Sequence, residues 1–358
     1  MTSLSSYKRW LPLLAILLAL VVPASAFAQD AGGAKEQAQR QLTQPGNNAP
    51  MWRDVREGVT PNVNPYQTTQ VRGVETNVLV QPSGQSWRQL RPPIALAGGL
   101  LIAAAMLAVF AFYWWRGPIG VHDPATGRLI KRFSDVERFT HWTVAISVCV
   151  LAITGLIISF GKYMLLPVVG YTIFSWIAIL AKNLHNFVAP VFFCALPVMI
   201  VLFVRDNLPE RGDLKWLLSF GGLFSKSGRE TPSGRFNFGE KVLFWWMATI
   251  FGVVLCASGA IMLFPNFEQG RELMQSANIV HISCAMVMIF LAAFHIYLGT
   301  IGTKGAYEGM RTGYVDETWA KEHHELWYEA VKAGRARQHF ADDAPPEVRV
   351  QVEQGLKA

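Results

Sequence analysis

The chain has 358 residues, 51% of them hydrophobic and only 16% charged, with a formal net charge of +7. Long uncharged runs at that composition exclude a disordered chain and an ordinary soluble domain, and place the protein among membrane proteins. The positive charge sits in short segments between the apolar runs, as in membrane-flanking loops, so nucleic acid is not an expected partner.

Residues 1–28 read as a secretory signal. Lys8 and Arg9 form a basic n-region, Leu11 to Val22 an apolar core, and Ala26–Phe27–Ala28 a small-x-small cleavage site. Residues 29–93 are polar and rich in proline, and are expected to be a periplasmic segment, extended or partly disordered. Residues 94–115 form an extra transmembrane helix closed by Tyr113–Trp114–Trp115–Arg116, an aromatic belt followed by a cation. It carries no histidine and is expected to be peripheral.

Residues 116–303 form the main transmembrane domain, and 304–358 a charged tail that is helical in part. After the basic loop 117–138, uncharged runs give spans at 139–160, 183–204, 242–264 and 275–303. The segment 163–181, with Pro167 and Gly170, is expected to be an interfacial excursion between the first two. Topology supports that choice. Seven cations lie between Arg205 and Lys241 and eight from Lys304 onward, so both segments, like 117–138, belong on the cytoplasmic side. Only an even number of crossings between 139 and 204 allows this. The expected class is an all-α, multi-pass protein of the bacterial inner membrane. Its core is a four-helix bundle, its C-terminus is cytoplasmic, and the lipid bilayer is its solvent.

Four of the eight histidines lie in apolar segments: His141, His185, His281 and His295. His281 and His295 are separated by about 21 Å of helical rise and lie on nearly one face. The topology puts His141 and His295 toward the cytoplasmic side, and His185 and His281 toward the outer side. Ionisable groups inside a span are costly and mark function. Two depth-matched pairs make two bis-histidine haem sites, the outer from His185 and His281, the inner from His141 and His295. A single zinc would need all four ligands together, and these depths hold them apart. A proton relay would want an acidic partner, and the spans carry none. The four cysteines, Cys149, Cys194, Cys256 and Cys284, form no Cys-x-x-Cys-His, so the haems would be non-covalent, b-type. His122, His323, His324 and His339 are expected on solvated surface.

The chain resembles the membrane cytochrome b (gamma) subunit of bacterial respiratory formate dehydrogenase, in a long form with an N-terminal signal and an extra span. The resemblance covers roughly 130–335. It rests on Arg138–Phe139–Thr140–His141–Trp142, Leu184–His185–Asn186–Phe187, Asn207–Leu208–Pro209 and Asp213–Leu214–Lys215–Trp216–Leu217–Leu218. It rests also on Arg235–Phe236–Asn237–Phe238–Gly239–Glu240–Lys241, the His281/His295 pair, and the tail motif Trp319–Ala320–Lys321–Glu322–His323–His324–Glu325–Leu326–Trp327–Tyr328. It implies four histidines ligating two b haems, and quinone (menaquinone or ubiquinone) reduced near Asn237, Gly239 and His295. Glu240 and Lys241 would be candidates for a proton path. It also implies an iron–sulfur (beta) subunit and a molybdopterin or tungstopterin catalytic (alpha) subunit as partners, with formate oxidised in the latter and not here. The residues alone leave open a nickel–iron hydrogenase or other molybdopterin oxidoreductase as the partner, and a haem-free membrane anchor.

Overall fold

The computed structural model describes residues 82–222, 230–265, 267 and 269–357. The expected signal and nearly all of the polar segment lie outside the described residues. Among the described residues five helices are long and apolar enough to cross a membrane: α1 (Pro82–Arg116), α2 (Asp135–Met164), α3 (Leu166–Phe203), α4 (Phe238–Leu263) and α5 (Arg271–Tyr297). This is an all-helical, multi-pass membrane protein with one small two-stranded sheet.

The starts of α2 and α4 are set by local chemistry. Ser134 accepts from the Glu137 backbone N–H, and Glu137 accepts from that of Ser134. Asn237 and Glu240 do the same at the head of α4. Such reciprocal caps satisfy N–H groups that the first turn leaves without partners. α4 widens to a π-helical stretch over Phe244–Phe251, and a second follows α5 over Leu298–Gly302. Both shift the phase of their helix at the loop-rich end of the bundle.

Two sequence expectations change. First, 163–181 is not an interfacial excursion. α2 runs to Met164 and α3 starts at Leu166. Pro167 sits in the first turn of α3, where its missing N–H costs nothing. The only non-helical backbone in α3 is Gly170, at φ 77°. From Tyr171 to Phe203 the helix is about 50 Å long, more than the ~30 Å hydrocarbon core needs. Second, residues 82–93 are not extended but helical, as the beginning of α1. Trp87 Nε1 donates to Asn278 Oδ1 at 3.0 Å, fixing that end to α5.

α1 then lies along α5. Ala95, Ile282 and Met286 form a buried cluster with Ile94, Ile102, Leu156 and Phe160 around it. Gly98 allows the approach, since a Cβ there would lie 2.3 Å from Met286 Cγ. At the far end Phe112 and Tyr113 meet Tyr297 edge-on. Inside the bundle, Val144, Phe192, Leu196, Ala248 and Met288 form a second buried cluster that joins α2, α3, α4 and α5. In lipid such contacts hold helices together by close packing, since the tails are as apolar as the side chains.

The three segments after α1, α3 and α5 assemble into one cap at the loop-rich end. β1 (Leu129–Lys131) pairs antiparallel with β2 (Tyr314–Asp316), joining the first loop to the tail. Around the sheet pack α6 (Ala306–Thr312), α7 (Glu317–His323), α8 (Glu325–Lys332) and α9 (Pro346–Lys357). Ile130, Val315, Trp319, Ala320, Trp327, Tyr328, Val331 and Leu356 are its core.

Two arginines tie the cap to the bundle by a reciprocal exchange. Arg132 Nη2 donates to the Arg235 carbonyl at 2.8 Å, and Arg235 Nη2 donates to the Arg132 carbonyl at 2.7 Å. Arg235 also makes a bidentate pair with Glu137, at 2.9 and 3.0 Å, and bonds Asp206. Arg132 lies against Trp319, Phe133 and Phe236.

Contrary to the surface expectation, His323 and His324 are buried in this cap. His324 Nδ1 lies 2.9 Å from the Gly234 carbonyl, so it is the donor, and Nε2 accepts from Arg132 at 3.0 Å. Burial, then the charge of Arg132, holds its pKa well below the ordinary imidazole value, so it is neutral. His323 Nδ1 meets Glu230 at 2.8 Å. His122 and His339 are exposed, as expected.

Candidate haem sites

The structure brings the four span histidines together in two pairs. His185 on α3 and His281 on α5 have ring centres 6.2 Å apart, at the end of the bundle away from the cap. His141 on α2 and His295 on α5 are 6.1 Å apart, next to the cap. Met288 lies on α5 seven residues from each α5 histidine, and the apolar cluster around it fills the layer between the pairs. Along α5 the two pairs are separated by about 21 Å of rise.

These spacings suit a metal held between two imidazoles. Two metal–imidazole bonds of about 2.0–2.1 Å, plus about 1.1 Å from each nitrogen to its ring centre, sum to about 6.3 Å. A direct imidazole–imidazole hydrogen bond or stack would bring the rings nearer. Among the described residues no group of three or more His, Cys, Asp or Glu converges, so the donor set at each place is two imidazoles and nothing else. A porphyrin supplies the four in-plane nitrogens that such a set lacks.

At the cap-distal pair the unused ring nitrogens have partners. His185 Nδ1 is 2.8 Å from Thr154 Oγ1 on α2, and His281 Nδ1 is 3.0 Å from Ser258 Oγ on α4. The next residues, Gly155 and Gly259, lie against the ring edges, where a Cβ would be 3.5 and 3.4 Å from Cε1 of His185 and His281. The space beside Gly155 is therefore taken by the imidazole of His185. Thr154 and Ser258 were invisible to sequence reasoning, because a hydroxyl in a span ordinarily bonds its own helix. The repeated hydroxyl–glycine pair, Thr154–Gly155 and Ser258–Gly259, was the available signal. At the cap-proximal pair, by contrast, His141 Nδ1 is buried with no hydrogen-bond partner among the described residues.

The residues expected near quinone sit at the head of α4. Asn237 spends its Oδ1 on the Glu240 N–H, at 2.9 Å, which leaves the Nδ2 amide as a donor not engaged among the described residues. Gly239 is overlain by Trp216, since a Cβ would lie 3.0 Å from the indole. Asn237 and Gly239 thus meet Glu240 and Trp216. Glu240 accepts from the Asn237 backbone and approaches Arg132 at 3.4 Å. Lys241 is buried and paired with Asp213 at 3.0 Å and Glu210 at 3.3 Å. Both charges are therefore held in ion pairs.

A bundle of apolar helices that holds paired imidazoles at two depths has the architecture of a membrane cytochrome b. Residues 132–313 match the family described as prokaryotic cytochrome b561, and the chain belongs to that family. Its b-type character implies haem b. The chain is homologous to cytochrome b556 subunits of formate dehydrogenase. It is 29% identical over 214 residues to the nitrate-inducible cytochrome b556(Fdn) subunit of Escherichia coli K12, covering 59% of this chain and 95% of that protein. It is 32% identical over 206 residues to the cytochrome b556(fdo) subunit of the same organism, covering 57% and 93%. The cytochrome b556 subunit of Haemophilus influenzae formate dehydrogenase is 28% identical over 204 residues, covering 56% and 82%.

Proposed function

We propose that this chain is the electron-transfer subunit of a membrane-bound formate dehydrogenase, passing electrons from a periplasmic iron–sulfur and molybdopterin (or tungstopterin) partner through two b haems to membrane quinone on the cytoplasmic side. The observation that carries this is the two imidazole pairs at 6.2 and 6.1 Å, at opposite ends of one bundle. His185 and His281 would hold the outer haem, and His141 and His295 the inner one.

Held by His185 and His281, or by His141 and His295, a b haem would supply one-electron storage. The chain's own residues do the rest. α5 carries one imidazole of each pair, so a single rigid helix sets both depths. The buried layer of Val144, Phe192, Leu196, Ala248 and Met288 keeps water out between them. Thr154 and Ser258 hold the rings of the outer pair. At the cytoplasmic side the Asn237 Nδ2 amide is available to a quinone carbonyl, because the cap uses only Oδ1. The cap, with its paired charges, faces the water from which quinone reduction takes its protons.

Purified membranes containing the complex test the reading. The expected result is a reduced-minus-oxidised spectrum with two b-type haems per chain, reduced on addition of formate and reoxidised by a quinone analogue. His281→Ala is expected to remove one haem and block formate-driven reduction of the other. No b-type α-band, or reduction by hydrogen and not by formate, would sink the proposal.

A further inference from the structure

We infer that Thr154 and Ser258 are positioning residues of the cap-distal site: each hydroxyl accepts the Nδ1 proton of one imidazole, fixing the ring plane and presenting Nε2 to iron. This rests on the reading of His185 and His281 as haem ligands.

The direction of each hydrogen bond follows from where the hydroxyl protons go. Thr154 Oγ1 donates to the Val150 carbonyl at 2.7 Å, four residues back on α2. Ser258 Oγ donates to the Val254 carbonyl at 2.7 Å, four residues back on α4. A hydroxyl has one proton, so the contacts to His185 at 2.8 Å and His281 at 3.0 Å must be donated by the rings. With Nδ1 protonated, the lone pair of each imidazole is on Nε2. Thr154 and Ser258 are 3% and 4% exposed, so no water replaces them.

The arrangement occurs twice. In the α2–α3 hairpin the first helix supplies the hydroxyl and the second the histidine. The α4–α5 hairpin repeats this. Incidental back-bonding of a span hydroxyl would not place both against a histidine of the following helix. The cap-proximal pair lacks the device at His141, whose Nδ1 has no partner among the described residues. A donated Nδ1–H makes an imidazole a stronger base and favours the oxidised metal. The hydroxyls therefore lower the potential of the distal haem relative to the proximal one, which favours electron flow toward the cap.

The test uses the complex carrying Thr154→Val and Ser258→Ala, separately and together, beside the hydroxyl-preserving swaps Thr154→Ser and Ser258→Thr. Potentiometric titration of the b-type α-bands reads each haem, the distal one being that lost in His281→Ala. In the double variant the distal haem is expected to lose roughly tenfold of its preference for ferric iron, an upward shift of about 59 mV. The proximal haem should not move, and both swaps should titrate as the parent does. Loss of the distal haem from the double variant, with retention in the swaps, also supports the inference. Two haems at unchanged potentials in the double variant would overturn it and leave the ligand reading intact. Swaps as impaired as Val and Ala would overturn it as well. A parent complex without two b-type haems would overturn the ligand reading itself.

Discussion

Replacing Arg235 with alanine is expected to loosen the cap and the adjoining end of α2. Arg235 is 6% exposed and Glu137 8%. The guanidinium supplies both bonds that satisfy the Glu137 carboxylate at that side, at 2.9 and 3.0 Å. It also supplies the bond to the Arg132 carbonyl. Asp206 retains Arg337, at 2.7 and 2.9 Å, but among the described residues Glu137 keeps no other cation. Removing one partner of a buried pair typically costs about 3–5 kcal/mol, chiefly from the charge left behind. That corresponds to roughly 150- to 5,000-fold easier local opening. Hydrogen exchange in detergent or nanodiscs measures it at the Arg132 and Phe133 amides, which bond the Gly313 carbonyl. If the stranded carboxylate carries the cost, adding Glu137→Gln to Arg235→Ala should restore much of the protection. Unchanged protection in Arg235→Ala, or no recovery in the double variant, would refute the reasoning.

His324, flanked by Arg132, His323 and Glu240, is neutral in the fold with its pKa well below 6.5. The unfolded chain binds the extra proton first, so cap stability is complete above pH 6.5 and falls below it by up to about 1.4 kcal/mol per pH unit. Hydrogen exchange over Trp319–Val331 should show that loss as pH falls from about 6.5 to about 5.5, with little change above about 6.5, and His324→Gln should flatten it. Asn237→Asp keeps the helix cap but loses the Nδ2 donor, while Asn237→Ala loses both, with about 1 kcal/mol from the cap. If the amide binds quinone, quinone-dependent turnover should fall alike in both variants, with thermal stability lowered only in Ala. Gly98→Leu should push α1 off α5, since even its Cβ would collide with Met286, at an overpacking cost of about 1–3 kcal/mol. Trp87 fluorescence should then report loss of the Asn278 contact, and Met286→Ala should restore it.

The histidine constellation was legible because helix geometry is rigid. The fourteen-position separation of His281 and His295 fixes a depth difference, and loop charges fix which end of each span is which. The pairing by depth agrees with the ring-to-ring distances. The cap was not legible. Its chemistry depends on β1 pairing with β2 across nearly 200 residues, and only that pairing buries His323 and His324 among Trp319, Trp327 and Arg132. The excursion expected at 163–181 failed for a local reason. Pro167 and Gly170 are break signals, but Pro167 falls in the first turn of α3, where no N–H is needed, and Gly170 kinks α3 without ending it. The helix-capping role of Asn237 is carried by its Oδ1, which accepts from the Glu240 N–H and depends on where α4 begins.

The docking of α1 bears on how copies of this protein can associate. The family match begins at residue 132, beyond α1. α1 occupies the strip of α5 that carries Ile282 and Met286, and holds it at both ends through Trp87 and Tyr113. A glycine-mediated helix contact is a common way for two membrane chains to dimerise. Here that contact is already satisfied within one chain. The strip of α5 that carries Ile282 and Met286 is thereby covered within the chain, while Val280 on α5, Val253 on α4, Ile146 and Ile153 on α2, and Phe187 and Val201 on α3 stand exposed to lipid or to other chains.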